Sequence, residues 1–156
     1  MRYEDVERVL SALARESVEY VLVGGVAIGL HGFERPTRDI DLFIRVDAAN
    51  VERLRRALRS VFDDESIDEI TVEDLAGPYP TVRYGPPGGE FVIDILGRLG
   101  TAFSYDDLEF EERTIAGTVV RLATPRTLLR MKKDTLRPID QIDAANLRER
   151  FELNDD

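Results

Sequence analysis

Tyr20-Val21-Leu22-Val23-Gly24-Gly25 and, a little later, Arg38-Asp39-Ile40-Asp41-Leu42-Phe43-Ile44 decide how this chain is read. The first stretch is a β-branched and aromatic run stopped by two glycines, which predicts a buried strand entering a tight turn. The second alternates acid with aliphatic. Side chains on a strand repeat every two residues, so Asp39 and Asp41 are expected on one face. Between the two, Val26 to Leu30 predicts a brief helix closed near Gly32, and Glu34-Arg35-Pro36-Thr37 punctuates the approach to the second strand.

Tyr3, Val6, Val9, Leu10 and Leu13 recur at helical spacing over residues 3–16. Asp47 is placed to cap a helix from about Ala48 to Phe62, with Val51, Leu54, Leu58 and Val61 as its apolar stripe. Residues 63–80 are acidic and contain proline, and read as a loop with a short irregular element. Thr81 to Tyr84 and Glu90 to Leu96 flank Gly85-Pro86-Pro87-Gly88-Gly89, a hairpin signal, and the second of these strands carries Asp94 between Ile93 and Ile95. Another hairpin is expected around Gly117, pairing Phe110–Ile115 with Val119–Leu122. Thr124-Pro125 opens a helix with Leu128, Leu129 and Met131; Arg137-Pro138 interrupts it, and a last helix runs to about Phe151. The expected fold is α+β: a short, mixed, twisted sheet with helices packed mainly on one face and the carboxylates on the open face. One domain is expected over residues 1–152, with a frayed tail at 153–156.

Composition narrows the chemistry. At 156 residues, 43% hydrophobic and 33% charged, the chain has the size and balance of one globular domain and is too short for a barrel of about 250 residues. No apolar run approaches the roughly 20 residues that span a bilayer, and Met1-Arg2-Tyr3-Glu4-Asp5 does not open a signal peptide, so a cytoplasmic location is expected. The absence of cysteine excludes disulfides, zinc–thiolate sites and thiol catalysis, and a single histidine, His31, excludes multi-histidine metal sites. A net charge of −10 disfavours gripping duplex DNA through its phosphates. The charge is uneven, however: Arg121, Arg126, Arg130, Lys132, Lys133 and Arg137 face only Asp134 over that stretch, which suits a compact anion such as a triphosphate.

Three carboxylates on predicted strands, Asp39, Asp41 and Asp94, are the candidate reactive cluster. Clustered like charges repel unless a cation sits among them, and a set of oxygen donors alone selects Mg²⁺ or Mn²⁺. Two such ions form the clamp used for in-line phosphoryl or nucleotidyl displacement. The ordinary alternative leaves Asp39 and Asp41 on a half-exposed strand and Asp94 in a salt bridge. Gly24-Gly25, between a strand and a helix, allows close backbone approach to phosphates. The surrounding Gly24-Gly25-Val26-Ala27-Ile28-Gly29 is not a dinucleotide fingerprint, and with no lysine before Lys132 there is no Walker loop.

Val21-Leu22-Val23-Gly24-Gly25, thirteen intervening residues, then Asp39-Ile40-Asp41 resembles the signature of the nucleotidyltransferase (DNA polymerase β-like) superfamily. Asp94 in Phe91-Val92-Ile93-Asp94-Ile95-Leu96 matches its third carboxylate. The run Met131-Lys132-Lys133-Asp134-Thr135-Leu136-Arg137-Pro138-Ile139-Asp140-Gln141-Ile142-Asp143 resembles a segment of small bacterial members, the AbiEii-type toxin group and the minimal antibiotic nucleotidyltransferases among them. The resemblance covers residues of about 18–145, with Gly25 where many members have Ser and Ile139 where relatives often carry Lys. It implies a magnesium-dependent transfer of a nucleoside monophosphate from an NTP such as ATP to an acceptor hydroxyl, releasing pyrophosphate. Asp39, Asp41 and Asp94 would be catalytic and hold two metal ions, with Asp94 as, or orienting, the base. Gly24, Gly25, Lys132, Arg38 and Arg137 would bind the nucleotide, Lys133 replacing Lys132 if the helix register shifts by one. Asp140 is expected to anchor the Arg137 loop.

The acceptor implied is an RNA, tRNA included, or a protein, as for a toxin–antitoxin or defence enzyme. An antibiotic acceptor or a catalytically silent nucleotide-binding or antitoxin module are the alternatives. A homodimer or a cognate antitoxin is the expected protein partner. His31 has either a packing or a nucleotide-contacting role. Arg35 and Arg38 either pair with Asp39 or Asp41 or bind phosphate. Tyr79, Tyr84 and Tyr105 either pack or stack a base, and the arginines of the third helix are read as a solvated face.

Overall fold

The computed structural model describes residues 2–99, 103–132, 135 and 137–154. At its centre lie β1 (Tyr20–Val23) and β2 (Asp39–Ile44), antiparallel, with Tyr20 opposite Ile44 and Val23 opposite Asp41. β2 runs parallel to β4 (Val92–Leu96), and β1 parallel to β8 (Thr118–Ala123), so the sheet is mixed. Each outer parallel strand is half of an antiparallel hairpin: β3 (Thr81–Tyr84) on β4 and β7 (Phe110–Ile115) on β8. Among the described residues the sheet has six strands in the order β3-β4-β2-β1-β8-β7, and a separate ribbon pairs β5 (Arg98–Leu99) with β6 (Phe103–Ser104). The β7–β8 turn is Ala116-Gly117, both in the left-handed region (φ 50° and 81°), the conformation that matches the twist of a two-residue hairpin.

Six helices complete the described fold. α1 (Tyr3–Arg15) packs on α3 (Ala48–Val61), and Val6, Val9, Leu10 and Leu13 of the first and Val51, Leu54 and Leu58 of the second are buried. α3 starts where Asp47 accepts a hydrogen bond from the Asn50 N–H at 2.7 Å, and ends one residue before Phe62, which is already extended. The buried Asn50 amide also bonds the backbone of Glu19 and Arg45, fixing α3 to the ends of β1 and β2. Residues 63–80 hold a short 3₁₀ turn, Glu65–Glu69, capped by Asp64, and α4 (Val72–Ala76), capped by Thr71. α2 (Gly24–Leu30) follows β1 directly, and α5 (Pro125–Lys132) packs against α6 (Pro138–Phe151). The architecture is the expected α+β fold with a mixed sheet.

Leu153, placed in the expected frayed tail, packs against the core; residues 155–156 lie outside the described part. Among the described residues no helix is long and apolar enough to cross a membrane.

The two faces of β2 place the site. Ile40, Leu42 and Ile44 are fully buried on one face. On the other, Phe43 is fully buried while Asp41 and Asp39 are only partly covered. That face is closed at the Phe43 end and opens where β1 gives way to α2.

Candidate active site

Asp41 and Asp94 are register partners in the parallel β2–β4 ladder, so their side chains leave the same face of strands about 4.8 Å apart. Asp94 is buried between Ile93 and Ile95, and its neighbour Asp41 is pushed up from 3.8 to about 7. Burial is the first cause; the charges of Asp94 and Asp39 add to it, and Lys132 opposes it. Asp39, one strand repeat from Asp41 and 38% exposed, stands further out.

The residue that organises the cluster is one the sequence reading missed. Arg83 on β3 lies opposite Asp94 in the β3–β4 hairpin. It donates from Nε to Oδ1 at 3.0 Å and from Nη2 to Oδ2 at 3.2 Å, and Nη2 is also 3.8 Å from Asp39 Oδ2. The expected meeting of three carboxylates is therefore realised for Asp41 and Asp94, whereas Asp39 joins them through a guanidinium. Among the described residues no three acidic or imidazole side chains form a ready ligand set. The physical reason is self-repulsion: Arg83 draws Asp39 and Asp94 to itself, which offsets their charge. In donor chemistry the trio, being oxygen alone, suits a hard divalent cation.

Gly24 closes the site from β1. Its φ is +72°, and an added Cβ would overlap the Asp41 carboxylate, 2.7 Å from Cγ. Only glycine lets the backbone pass this close to the acid. Gly25 meets Thr37 instead: an added Cβ would lie 3.1 Å from Thr37 Cβ and 3.2 Å from its Oγ1.

The far wall comes from α5, α6 and the loop between them. Lys132 Nζ donates to Asp140 Oδ1 at 2.8 Å and lies 3.1 Å from Asp143 Oδ2. Arg137 forks onto Asp140 at 2.8 and 3.0 Å, and Thr135 Oγ1 donates to it at 2.9 Å. Arg137 first, then Lys132 and Thr135, hold the Asp140 carboxyl well below the usual carboxylate range. Asp140 thus anchors the Arg137 loop, as expected. Gly24, Asp41, Leu96, Met131, Lys132 and Arg137 border one cleft of about 200 Å³, uniting the carboxylate face with the basic segment.

Other candidates lie elsewhere. Arg35 does not pair with Asp39 or Asp41; its Nε donates to both Asp143 oxygens at 3.3 Å, tying the loop before β2 to α6. Arg38 is exposed and lines a wider groove of about 780 Å³ with Arg2, Tyr3, Leu30, Arg35 and Ile115, away from the cleft that holds Asp41. That groove is the larger of the two, yet the smaller one holds the reactive groups. His31 caps the C-terminus of α2, lies buried 2.8 Å from the Ala123 carbonyl through Nε2, and packs edge-on against Phe151. Tyr84 donates to Asp64, Tyr105 accepts from Arg121 beneath Arg45, and Tyr79 is exposed. The α3 arginines Arg55, Arg56 and Arg59 form surface pairs with Glu52, Glu16 and Asp68. Lys133 lies outside the described residues.

Residues 8–137 match the family described as nucleotidyl transferase AbiEii toxin, type IV TA system. The chain belongs to the AbiEii nucleotidyltransferase family. Among curated proteins no significant match is found. Solved structures agree on the fold of this AbiEii-family chain. An antigenic nucleotidyltransferase-like protein from Paracoccidioides brasiliensis superimposes with a TM-score of 0.55 at 19% identity, over 96% of this chain and 78% of that one. ANT(2")-Ia in complex with adenylyl-2"-tobramycin gives 0.52 at 16% identity, over 95% and 97%. The solution structure of the antibiotic-resistance factor ANT(2'')-Ia gives 0.51 at 16%, over 94% and 91%.

Proposed function

We propose that this protein transfers a nucleoside monophosphate from an NTP to an acceptor hydroxyl. The acceptor oxygen bonds to the α-phosphorus, the bond between the α-phosphorus and its bridging oxygen breaks, and pyrophosphate leaves. The observation that carries this reading is the Asp41–Asp94 pair, two acids side by side beneath a glycine that only a bare backbone could occupy. Asp39, Asp41 and Asp94 would hold magnesium or manganese. When bound, the ions neutralise the carboxylates and the triphosphate and stabilise charge developing on the transferred group.

The rest falls to the chain itself. Gly24 and Gly25 present backbone to the β- and γ-phosphates at the start of α2. Lys132, held in place by Asp140 and Asp143, directs its charge into the cleft. Arg137 spends Nε and Nη2 on Asp140 and keeps a side chain that is 72% exposed, within reach of an entering triphosphate. Asp94 accepts or orients the proton of the attacking hydroxyl. The contribution of the protein is mainly positioning and electrostatic preorganisation.

For the acceptor we favour an RNA, tRNA included, or a protein, in a toxin–antitoxin or defence setting. The wider groove supports the RNA choice through the exposed Arg38, which lines it. An antibiotic acceptor is the other outcome of an acceptor screen. A second reading, a catalytically silent nucleotide-binding or antitoxin module, draws on Arg83, which already occupies Asp94.

The test is incubation with α-labelled NTPs, magnesium or manganese, and total RNA, protein extract or aminoglycosides, beside Asp41→Asn. Label transfer by the wild type alone, with pyrophosphate release, is expected. No transfer to any acceptor, together with NTP binding that ignores divalent ions, would favour the silent module.

A further inference from the structure

Arg83 lies outside the expected constellation, yet it is the cation that its carboxylates hold. It comes from β3, an edge strand, and its side chain is 65% exposed. Its fork takes both oxygens of Asp94, at 3.0 and 3.2 Å, and leans 3.8 Å from Asp39. A divalent ion binds carboxylate oxygen at about 2.0–2.2 Å, far inside the reach of those N–H groups, and competes with them for the same two oxygens. Guanidinium and ion also repel one another in the same small space. Both effects have one sign. Because the arginine is an exposed edge residue, it can swing away from Asp94 without repacking the core.

We propose that Arg83 is a tethered counter-cation that occupies Asp94 and Asp39 until a divalent ion displaces it, so that it sets the ion concentration at which the site loads. This rests on the reading of Asp39, Asp41 and Asp94 as ion ligands. It also accounts for three acids lying on two adjacent strands without forming a closed ligand set. An arginine that only propped the hairpin would, on removal, loosen β3 and weaken ion binding. A competitor, on removal, strengthens it.

The experiment is Mn²⁺ binding to the nucleotide-free protein, followed by loss of the free-ion EPR signal, for wild type, Arg83→Gln, Arg83→Lys and Asp94→Asn. Arg83→Gln is expected to bind Mn²⁺ more tightly than wild type on the order of tenfold, the scale on which neighbours of metal ligands act. Arg83→Lys, which keeps the charge but loses the fork, falls between them, and Asp94→Asn binds most weakly. Circular dichroism in EDTA establishes folding of each variant; if Arg83→Gln does not fold, Arg83→Lys alone carries the comparison. Equal or weaker Mn²⁺ binding by the folded arginine variants, with wild-type binding intact, overturns the inference and leaves the carboxylate reading standing. No Mn²⁺ binding by any of the proteins overturns the carboxylate reading, and the inference with it.

Discussion

Asp41 sits where burial, Asp94 and Asp39 all work against its charge, and its carboxyl is pushed from 3.8 up to about 7. The folded protein therefore holds this proton more tightly than the unfolded chain does. Stability falls as pH rises from about 4 through about 7 and levels off above that. Asp41→Asn removes the penalty. Without divalent ions it should be more stable than wild type at pH 8 by on the order of 2–4 kcal/mol, with the gap closing toward pH 4. Urea melts at the two pH values check this, and an equal or lower stability at pH 8 would contradict a net penalty on the Asp41 charge. Gly24→Ala has the opposite outcome. Its left-handed backbone and the overlap with Asp41 should cost about 2–4 kcal/mol and lower NTP affinity, read from thermal melting and nucleotide titration. Asp39, Asp41 and Asp94 were legible because strand period and an acid among aliphatics are local signals. Arg83 was not: an exposed arginine on an edge strand has no pattern, and its partner exists only once the β3–β4 register is known.

The elements were legible for the same local reasons. The glycine pair ended β1, proline opened α5, Asp47 capped α3, and Gly85–Gly89 and Gly117 marked the hairpins. The joint between α5 and α6 was legible only in part. The Arg137–Asp140 link is three residues long and was expected, whereas Arg35 reaches Asp143 across 108 positions, which no local pattern reveals. This joint holds Lys132 among carboxylates in a buried place, and breaking a buried pair from one side is costly. Asp140→Ala should destabilise the protein by about 2–3 kcal/mol in urea and weaken NTP binding, because Arg137 and Lys132 lose their common support. Asp143 still pairs with Lys132, which keeps the figure below that for a fully orphaned charge. A change within about 0.5 kcal/mol would show that the network contributes no net stability.

At the scale of the molecule, a chain of net charge −10 gathers Asp39, Asp41 and Asp94 at the open end of one sheet face, and Lys132 and Arg137 border the same cleft as Asp41. If an NTP and its divalent ion bind there together, as proposed, each should strengthen the binding of the other. Lys132→Ala should accordingly weaken NTP binding about tenfold, measured by calorimetry with magnesium present, while Mn²⁺ binding to the carboxylates remains. The most direct test is thermal melting of the wild type with magnesium, with an NTP, and with both at millimolar concentration. With the pair, Tm is expected to rise by more than the sum of the separate rises, and this excess to disappear in Asp41→Asn. A Tm that does not move with any NTP, or that rises equally in Asp41→Asn, would contradict it.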